Sequence, residues 1–376
     1  MKLRALGTLP ILRMIIRQYA ERTVFSLVFF IIPGIVTFIK ISIISHDILI
    51  ILGEVCPKAT HKEAPIRIQK TEILRQLRLI LPEELIQENI PLSTLTTMRV
   101  GGPAALLVAP KDILQIREVL RYLHKESIPF VVLGKGSNVL ASDEGYDSVI
   151  LQLTNLQQIT VEGNKLRAQG GASLIAMARA AQSAGLAGLE FASGIPGTLG
   201  GALYMNAGAY GFEMQDVVLE VEAVDERGEL LTLGVDDLNF GYRSSVFREK
   251  SLVAVSSLLQ LKQDDPDVIM DRMRELSEKR RAKQPLEWPS AGSTFKRPEG
   301  HFAGALIEGA GLKGFSVGDA QVSEKHAGFI INRGGATCAQ VKELIHLVQQ
   351  RVLEKNAVLL EPEVRYLSSQ GFAPLQ

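Results

Sequence analysis

The sequence predicts an α+β protein, and three observations carry that expectation. Helix-period and strand-period segments are mixed throughout residues 95–262. A polar helix then marks a shift in composition near residue 263, and the chain beyond it carries helices and strands of its own. The first 65 residues match neither part. The expected organisation is an apolar extension over residues 1–65, a first folded region over 66–262 and a second over 263–376.

In chain order, "TVFSLVFFIIPGIVTFI" from Thr23 to Ile39 carries no charge and sits at the lower length limit of a membrane-spanning helix. Lys2, Arg4, Arg13, Arg17 and Arg22 precede it against one acid, Glu21, so a span would keep the N-terminus in the cytoplasm. The next apolar run, "ISIISHDILIIL", is short and contains Asp47, which strains a returning hairpin. No small-residue cleavage site supports a signal peptide. Upstream sequence attached by a start codon chosen too early is the reading taken, with a membrane anchor as the alternative.

After Pro65 the chain becomes amphipathic. "TEILRQLRLILPEEL" has Ile73, Leu74, Leu77 and Leu81 at helical spacing, and "KDILQIREVLRYLHKES" repeats the pattern before switching to the apolar strand "IPFVVLG". "LIAMARAAQSAGL" is a further helix closed near Gly185, and "VVLEVEAVDERGELLTL" alternates about a central turn as a hairpin does. The helix in "KQDDPDVIMDRMRELSEKRRAKQP" ends in Lys279 to Lys283 and stops before Pro285. "FAGALIEGAGLKG", the strand "AGFIINRGG", the helix "AQVKELIHLVQQRVLEKN" and the strand in "EPEVRYL" complete a compact α+β unit.

Composition narrows the function. Lys+Arg and Asp+Glu both total 41, so no net field recruits nucleic acid. Cys56 and Cys338 are too few for a disulfide scaffold or a thiolate metal site, and the six histidines show no HxxxH or HExxH spacing, so no metal is expected.

Two glycine loops remain. "LGKGSNVL" follows a predicted strand, but Val139 takes the third glycine position of the dinucleotide pattern and no helical run begins there. Gly134, Gly136, Ser137 and Asn138 can still aim backbone N–H groups at an anion, or form a plain turn. "GLEFASGIPGTLGGALYMNAGAYG" carries seven glycines from Gly188 to Gly211 among apolar residues, so it allows a flat ligand to approach the backbone closely.

Five motifs in order, "LGKGSNVL", "FASGIPGTLGGALYMNAGAYG", "NFGYRSSVF", "SAGSTFKRP" and "LEPEVRYL", resemble those of the UDP-N-acetylenolpyruvoylglucosamine reductases of bacterial peptidoglycan synthesis, in the shorter form without a long insertion. The likeness runs from about Asn89 to Leu367, and residues 1–65 have no counterpart in it. It implies an FAD-binding fold of the vanillyl-alcohol-oxidase type in two subdomains, followed by a C-terminal α+β substrate-binding domain. It further implies a cytoplasmic, monomeric enzyme using FAD and NADPH, with a sugar nucleotide as its small-molecule partner and membrane contact only if the N-terminal segment is an anchor. Flavin reduced by NADPH would pass hydride to the vinyl carbon of the enolpyruvyl group.

The same resemblance places Gly134, Gly136, Ser137 and Asn138 at the FAD pyrophosphate, and Gly194, Gly197, Thr198, Gly200, Gly201, Asn206 and Gly208 along the flavin. Hydride addition leaves negative charge spread into the substrate carboxylate, and a guanidinium fork meets both of its oxygens. Arg243 occupies the matching position and Glu363 the second group at that carboxylate; Glu361 lies on the same strand face, and only the motif chooses between them. Ser293 matches the proton donor to the α-carbon. A free hydroxyl is a weak acid, adequate when the carbanion is more basic and within about 3 Å. The same serine lacks a GxSxG elbow or a supported histidine base, which weakens a hydrolase reading. Tyr242, Arg280, Lys296 and Arg297 are the expected substrate-binding residues, the cations serving the diphosphate or the serine. The alternatives are an FAD-dependent oxidase of the same fold, against which no His or Cys lies in either glycine loop, and a membrane-anchored non-catalytic binding module.

Overall fold

The computed structural model describes residues 25–32, 35–44, 47–54 and 70–375, and the chain divides into two compact units, Met1–Ile68 and Gln69–Gln376. In the first unit, Phe25–Ile32, Ile35–Ile44 and Asp47–Glu54 form a three-stranded antiparallel sheet in chain order. The spanning helix over 23–39 that the membrane-anchor alternative supposed is therefore corrected to parts of two paired strands, with Phe29 opposite Thr37. The run is rich in Val, Ile, Phe and Thr, which suit a pleated surface, and the Pro33-Gly34 pair falls between the strands in sequence. No helix among the described residues is long and apolar enough to cross a membrane. The basic flank before Thr23 lies outside the described residues.

The second unit begins with the predicted lead-in helix, Lys70–Ile80, which buries Leu74 and Leu77. A four-stranded sheet follows in the order Ile86–Pro91, Pro103–Val108, Tyr146–Gln152, Phe130–Leu133, its last three strands parallel. The helix Ile113–Lys125 starts where Asp112 accepts the Gln115 N–H, and it buries Ile116, Val119, Leu120 and Leu123. The neighbouring antiparallel sheet runs Leu230–Gly234, Val218–Asp225, Leu252–Gln260, Lys165–Gln169, Ile159–Glu162. Its first two strands are the predicted hairpin. Helices Leu174–Ser183 and Leu199–Met205 bury their apolar side chains in the core of this sheet.

The helix Pro266–Lys283 has Asp265 as N-cap and Pro266 in its first turn, and it ends before Pro285 as the sequence indicates. Its buried residues Ile269 and Met273, however, join the core of the second sheet. The region after it forms a sheet in the order Ser290–Ser293, Phe329–Asn332, Ala320–Val322, Ser316–Val317, with helices Ala303–Gly309 and Cys338–Asn356. The last predicted strand, Arg365–Ser368, leaves that region and pairs in parallel with Val139–Ala141.

Several contacts fasten the C-terminal region to residues 98–143 of the same unit. Met98, Val100 and Leu140 enter its core. Asp143 accepts N–H groups from Cys338 at 2.8 Å and Ala339 at 3.0 Å, so one carboxylate satisfies the start of the helix Cys338–Asn356. Asn332, 3 % exposed, donates to the Met98 carbonyl and accepts from Gly334 and Ala336. Removing that amide strands the buried Met98 carbonyl and two partly buried backbone N–H groups. Asn332→Ala is expected to lower unfolding free energy by about 2–3 kcal/mol in urea titration; a loss below about 0.5 kcal/mol would show that water replaces the amide. A chain beginning at Ile66 is expected to keep a cooperative unfolding transition, and loss of that transition would place residues 1–65 inside the fold.

Candidate active site

The loop after Phe130–Leu133 leads into the short strand Val139–Ala141 rather than a helix, in keeping with its missing third glycine. Gly136 has φ +59°, and a Cβ there would lie 2.2 Å from the Leu95 carbonyl oxygen. A Cβ on Gly134 would lie 2.3 Å from Thr198 Oγ1. The two glycine loops therefore touch at Gly134 and Thr198, while Gly136 is required by its positive φ and by the close approach of Leu95. Among the described residues no protein acceptor takes the N–H groups of Lys135, Gly136, Ser137 or Asn138. Such a row of free donors suits a phosphate group.

The loops form one wall of a cleft of about 2480 Å³. Ordinary ligand pockets measure roughly 300–1,000 Å³, so the cleft has room for a large cofactor and a second ligand. Gly197 and Gly201 have no atom closer than 3.7 Å and 3.5 Å to an added Cβ, so side chains there would fill cleft space. Gly200 instead packs on the sheet, its N–H bonded to the Gly170 carbonyl at 2.7 Å. The residues present fit FAD: free N–H groups for its diphosphate and bare backbone for its ring.

The catalytic candidates are joined through the backbone. Thr294 gives its carbonyl to the Glu363 N–H at 2.8 Å, Phe295 bridges Pro362, and Lys296 N–H donates to the Glu361 carbonyl at 2.8 Å. Ser293 and Glu363 thus flank one short antiparallel ribbon. Asn138 ties the first glycine loop to it, donating its side-chain amide to the Glu363 carbonyl at 3.3 Å and accepting the Arg365 N–H at 2.9 Å. Ser293 is exposed at the cleft, and no partner within the described residues takes its hydroxyl.

Arg243 comes from the opposite side, on a tight turn in which Gly241 and Ser244 exchange N–H···O bonds at 3.1 Å. Its φ of +55° is unusual for a residue with a side chain and costs on the order of 1 kcal/mol. Arg243 Nε donates to Glu363 Oε1 at 2.8 Å, and both side chains are mostly buried at 18 % and 16 % exposure. Burial pushes the Glu363 carboxyl above the usual carboxylate range, while Arg243 and Lys296 pull it back in part. The structure separates the two glutamates that adjacency left equal. Glu361 points to solvent and pairs with Lys296.

The other predicted residues divide. Tyr242, Arg280 and Arg297 line the cleft. Tyr242 accepts the Arg297 N–H at 3.1 Å, and the Arg297 guanidinium stacks 4.0 Å above the Phe302 ring. Arg280 is held by Gln284 at 2.8 Å and lies against Gly194, where a Cβ would meet its Nη1 at 2.8 Å. Burial lowers its pKa. Lys296 is not on the cleft wall, because its ammonium is committed to Glu361. Asn206 is also absent from the wall. It is fully buried, and its amide is used by Glu213, Gly241 and Gln215.

Sequence reasoning missed two groups. His326 lines the cleft, accepts the Gly328 N–H at Nδ1 and has its pKa lowered by burial. Glu213 approaches Arg243 Nη1 at 3.9 Å. A lone carboxylate at the end of a nearly uncharged glycine loop was the available signal for it.

Residues 284–367 match the family profile described as "UDP-N-acetylenolpyruvoylglucosamine reductase, C-terminal domain", and residues 104–234 match "FAD binding domain". The UDP-N-acetylenolpyruvoylglucosamine reductase of Caldanaerobacter subterraneus subsp. tengcongensis is 46 % identical over 298 residues, covering 79 % of this chain and 99 % of the relative. That of Latilactobacillus sakei is 45 % identical over 286 residues, covering 76 % and 94 %. The crystal structure of the Thermus caldophilus enzyme superposes with a TM-score of 0.65 at 36 % identity, covering 74 % of this chain and 97 % of that one.

A carboxyl whose folded pKa is raised contributes most to stability below its unfolded pKa, and the contribution is lost as pH rises through the folded value. Relative to Glu363→Gln, the wild-type chain is expected to lose stability as pH rises above the ordinary glutamate value of about 4.3, read from paired urea midpoints. A difference that stays flat or grows with pH would contradict the raised pKa.

Proposed function

Since the chain belongs to the UDP-N-acetylenolpyruvoylglucosamine reductase family, we propose that it reduces UDP-N-acetylglucosamine enolpyruvate to UDP-N-acetylmuramate with electrons from NADPH. Membership makes it an FAD-dependent oxidoreductase of peptidoglycan synthesis, with the vanillyl-alcohol-oxidase type of FAD-binding fold ahead of an α+β C-terminal domain. The expected domain bounds, 66–262 and 263–376, a cytoplasmic location and a monomeric state belong to the same proposal.

One observation supports the reaction most strongly. Among the described residues an unpartnered hydroxyl, Ser293, stands on the same ribbon as a mostly buried carboxyl, Glu363, that already holds one of the cleft's guanidinium groups, Arg243. FAD, when bound, supplies the hydride it has taken from the nicotinamide coenzyme. Arg243 receives the substrate carboxylate and stabilises the charge that builds on it as the vinyl carbon becomes a methyl group. Glu363, which accepts from Arg243 Nε and whose carboxyl burial biases toward the neutral form, orients the guanidinium toward the same carboxylate. Ser293 gives its proton to the α-carbon, where the displaced electron pair resides, and its alkoxide is reprotonated from solvent. The free N–H groups of residues 135–138 hold the FAD diphosphate, and Gly197 and Gly201 leave room for its ring. Tyr242 and Arg297, fixed to one another, together with Arg280, form the polar wall for the sugar nucleotide.

Purified protein is expected to be yellow and to oxidise NADPH only with the enolpyruvyl sugar nucleotide present; colourless protein that takes up no FAD would overturn the proposal. Ser293→Ala is expected to keep flavin reduction by NADPH and to slow the second half-reaction by at least about 10²-fold. Reoxidation of its flavin by substrate at the wild-type rate would remove Ser293 from the mechanism.

A further inference from the structure

We infer that Glu213 is a positioning residue for Arg243, and that Asn206 serves Glu213 rather than the flavin, while Gly208, itself on the cleft wall, leaves the space Glu213 needs. The inference rests on the function proposed for Arg243. Glu213 does not line the cleft, so it acts on a bound ligand only through its neighbours. Its Oε1 lies 3.9 Å from Arg243 Nη1. Its Oε2 accepts the Asn206 side-chain amide at 2.8 Å.

Asn206 makes the arrangement specific. The same Nδ2 also donates to the Gly241 carbonyl at 3.1 Å, at the base of the turn that carries Arg243. Asn206 Oδ1 accepts the Gln215 N–H at 3.0 Å. One fully buried amide therefore fixes both the carboxylate facing Arg243 and the backbone presenting it. Gly208 sits directly opposite Glu213 in a two-residue antiparallel pair. A Cβ on Gly208 would come within 2.6 Å of Glu213 Cγ and 2.4 Å of the Phe212 carbonyl oxygen. Only glycine lets Glu213 reach its place. The Gly208 carbonyl oxygen in turn lies 3.5 Å from Arg243 Nη2.

The guanidinium is thus faced on three edges: Glu363 at Nε, Glu213 at Nη1 and the Gly208 carbonyl at Nη2. An arriving substrate carboxylate competes with Glu363 for Arg243. Glu213, anchored from outside the cleft, keeps the guanidinium from rotating with whichever carboxylate it meets. A displacement of about 1 Å at such a group can cost 10²-fold in rate.

Glu213→Gln keeps the shape and a hydrogen bond to Asn206 but removes the charge. It is expected to slow oxidation of reduced flavin by the enolpyruvyl sugar nucleotide about 10-fold, chiefly in kcat. Flavin reduction by NADPH and the thermal midpoint should stay at wild-type values, and Glu213→Asp should recover part of the rate. In an Arg243→Lys background the same substitution should cost less than about 2-fold. A wild-type second half-reaction in Glu213→Gln overturns the inference. So does a loss matched by falling thermal stability or slower flavin reduction, which marks a role in folding alone. Wild-type protein that does not react with the sugar nucleotide overturns the proposed function itself, which separates the two failures.

Discussion

The Arg243–Glu363 pair is the interaction on which the candidate site depends. It joins side chains 120 residues apart at 2.8 Å and closes the C-terminal segment onto the second sheet's turn. Such a pair, mostly buried, is a weak source of stability, because desolvating both ions offsets most of their attraction. Its value lies in placement. Glu363 is set by the Thr294 carbonyl and by Asn138, so the groups proposed for proton delivery, carboxylate binding and cofactor binding share one hydrogen-bonded frame.

That frame is held by apolar packing beyond it. Met98, Val100 and Leu140 from the first region sit in the same core as Phe295, Ile330 and Val364. The strand Arg365–Ser368 then pairs with Val139–Ala141. The ribbon bearing Ser293 and Glu363 therefore cannot shift without disturbing the loop proposed to hold the FAD diphosphate. A chain that brings a cofactor and a substrate into one cleft needs this kind of rigid coupling.

Much of the local structure was legible in the sequence because short-range chemistry decides it. The basic run Lys279 to Lys283 and Pro285 beyond it end a helix, and Val139 in place of glycine excludes a nucleotide-type helix start. The partners of these elements were less legible. Nothing local tells that the helix Pro266–Lys283 buries Ile269 and Met273 in the second sheet's core, or that the last strand returns to Val139–Ala141. In the site, motif likeness gave Arg243, Ser293 and Glu363 their expected roles. It gave Lys296 and Asn206 ligand contacts that geometry withholds, because the Lys296 ammonium pairs with Glu361 and the Asn206 amide is taken up by one carboxylate and two backbone groups. Glu213 stayed hidden because its importance depends on a 3.9 Å approach across a turn. The apolar run over 23–39 kept a spanning helix open as an alternative for a related reason: hydrophobicity without periodicity does not separate a helix from strands.

The most direct test of the central claim is a double-mutant cycle on the pair, read as the rate at which the enolpyruvyl sugar nucleotide reoxidises the reduced flavin. If Arg243 and Glu363 act as one unit on the substrate carboxylate, the double variant Arg243→Gln with Glu363→Gln loses no more than about the worse single variant. Losses that multiply would show two independent groups and contradict the account.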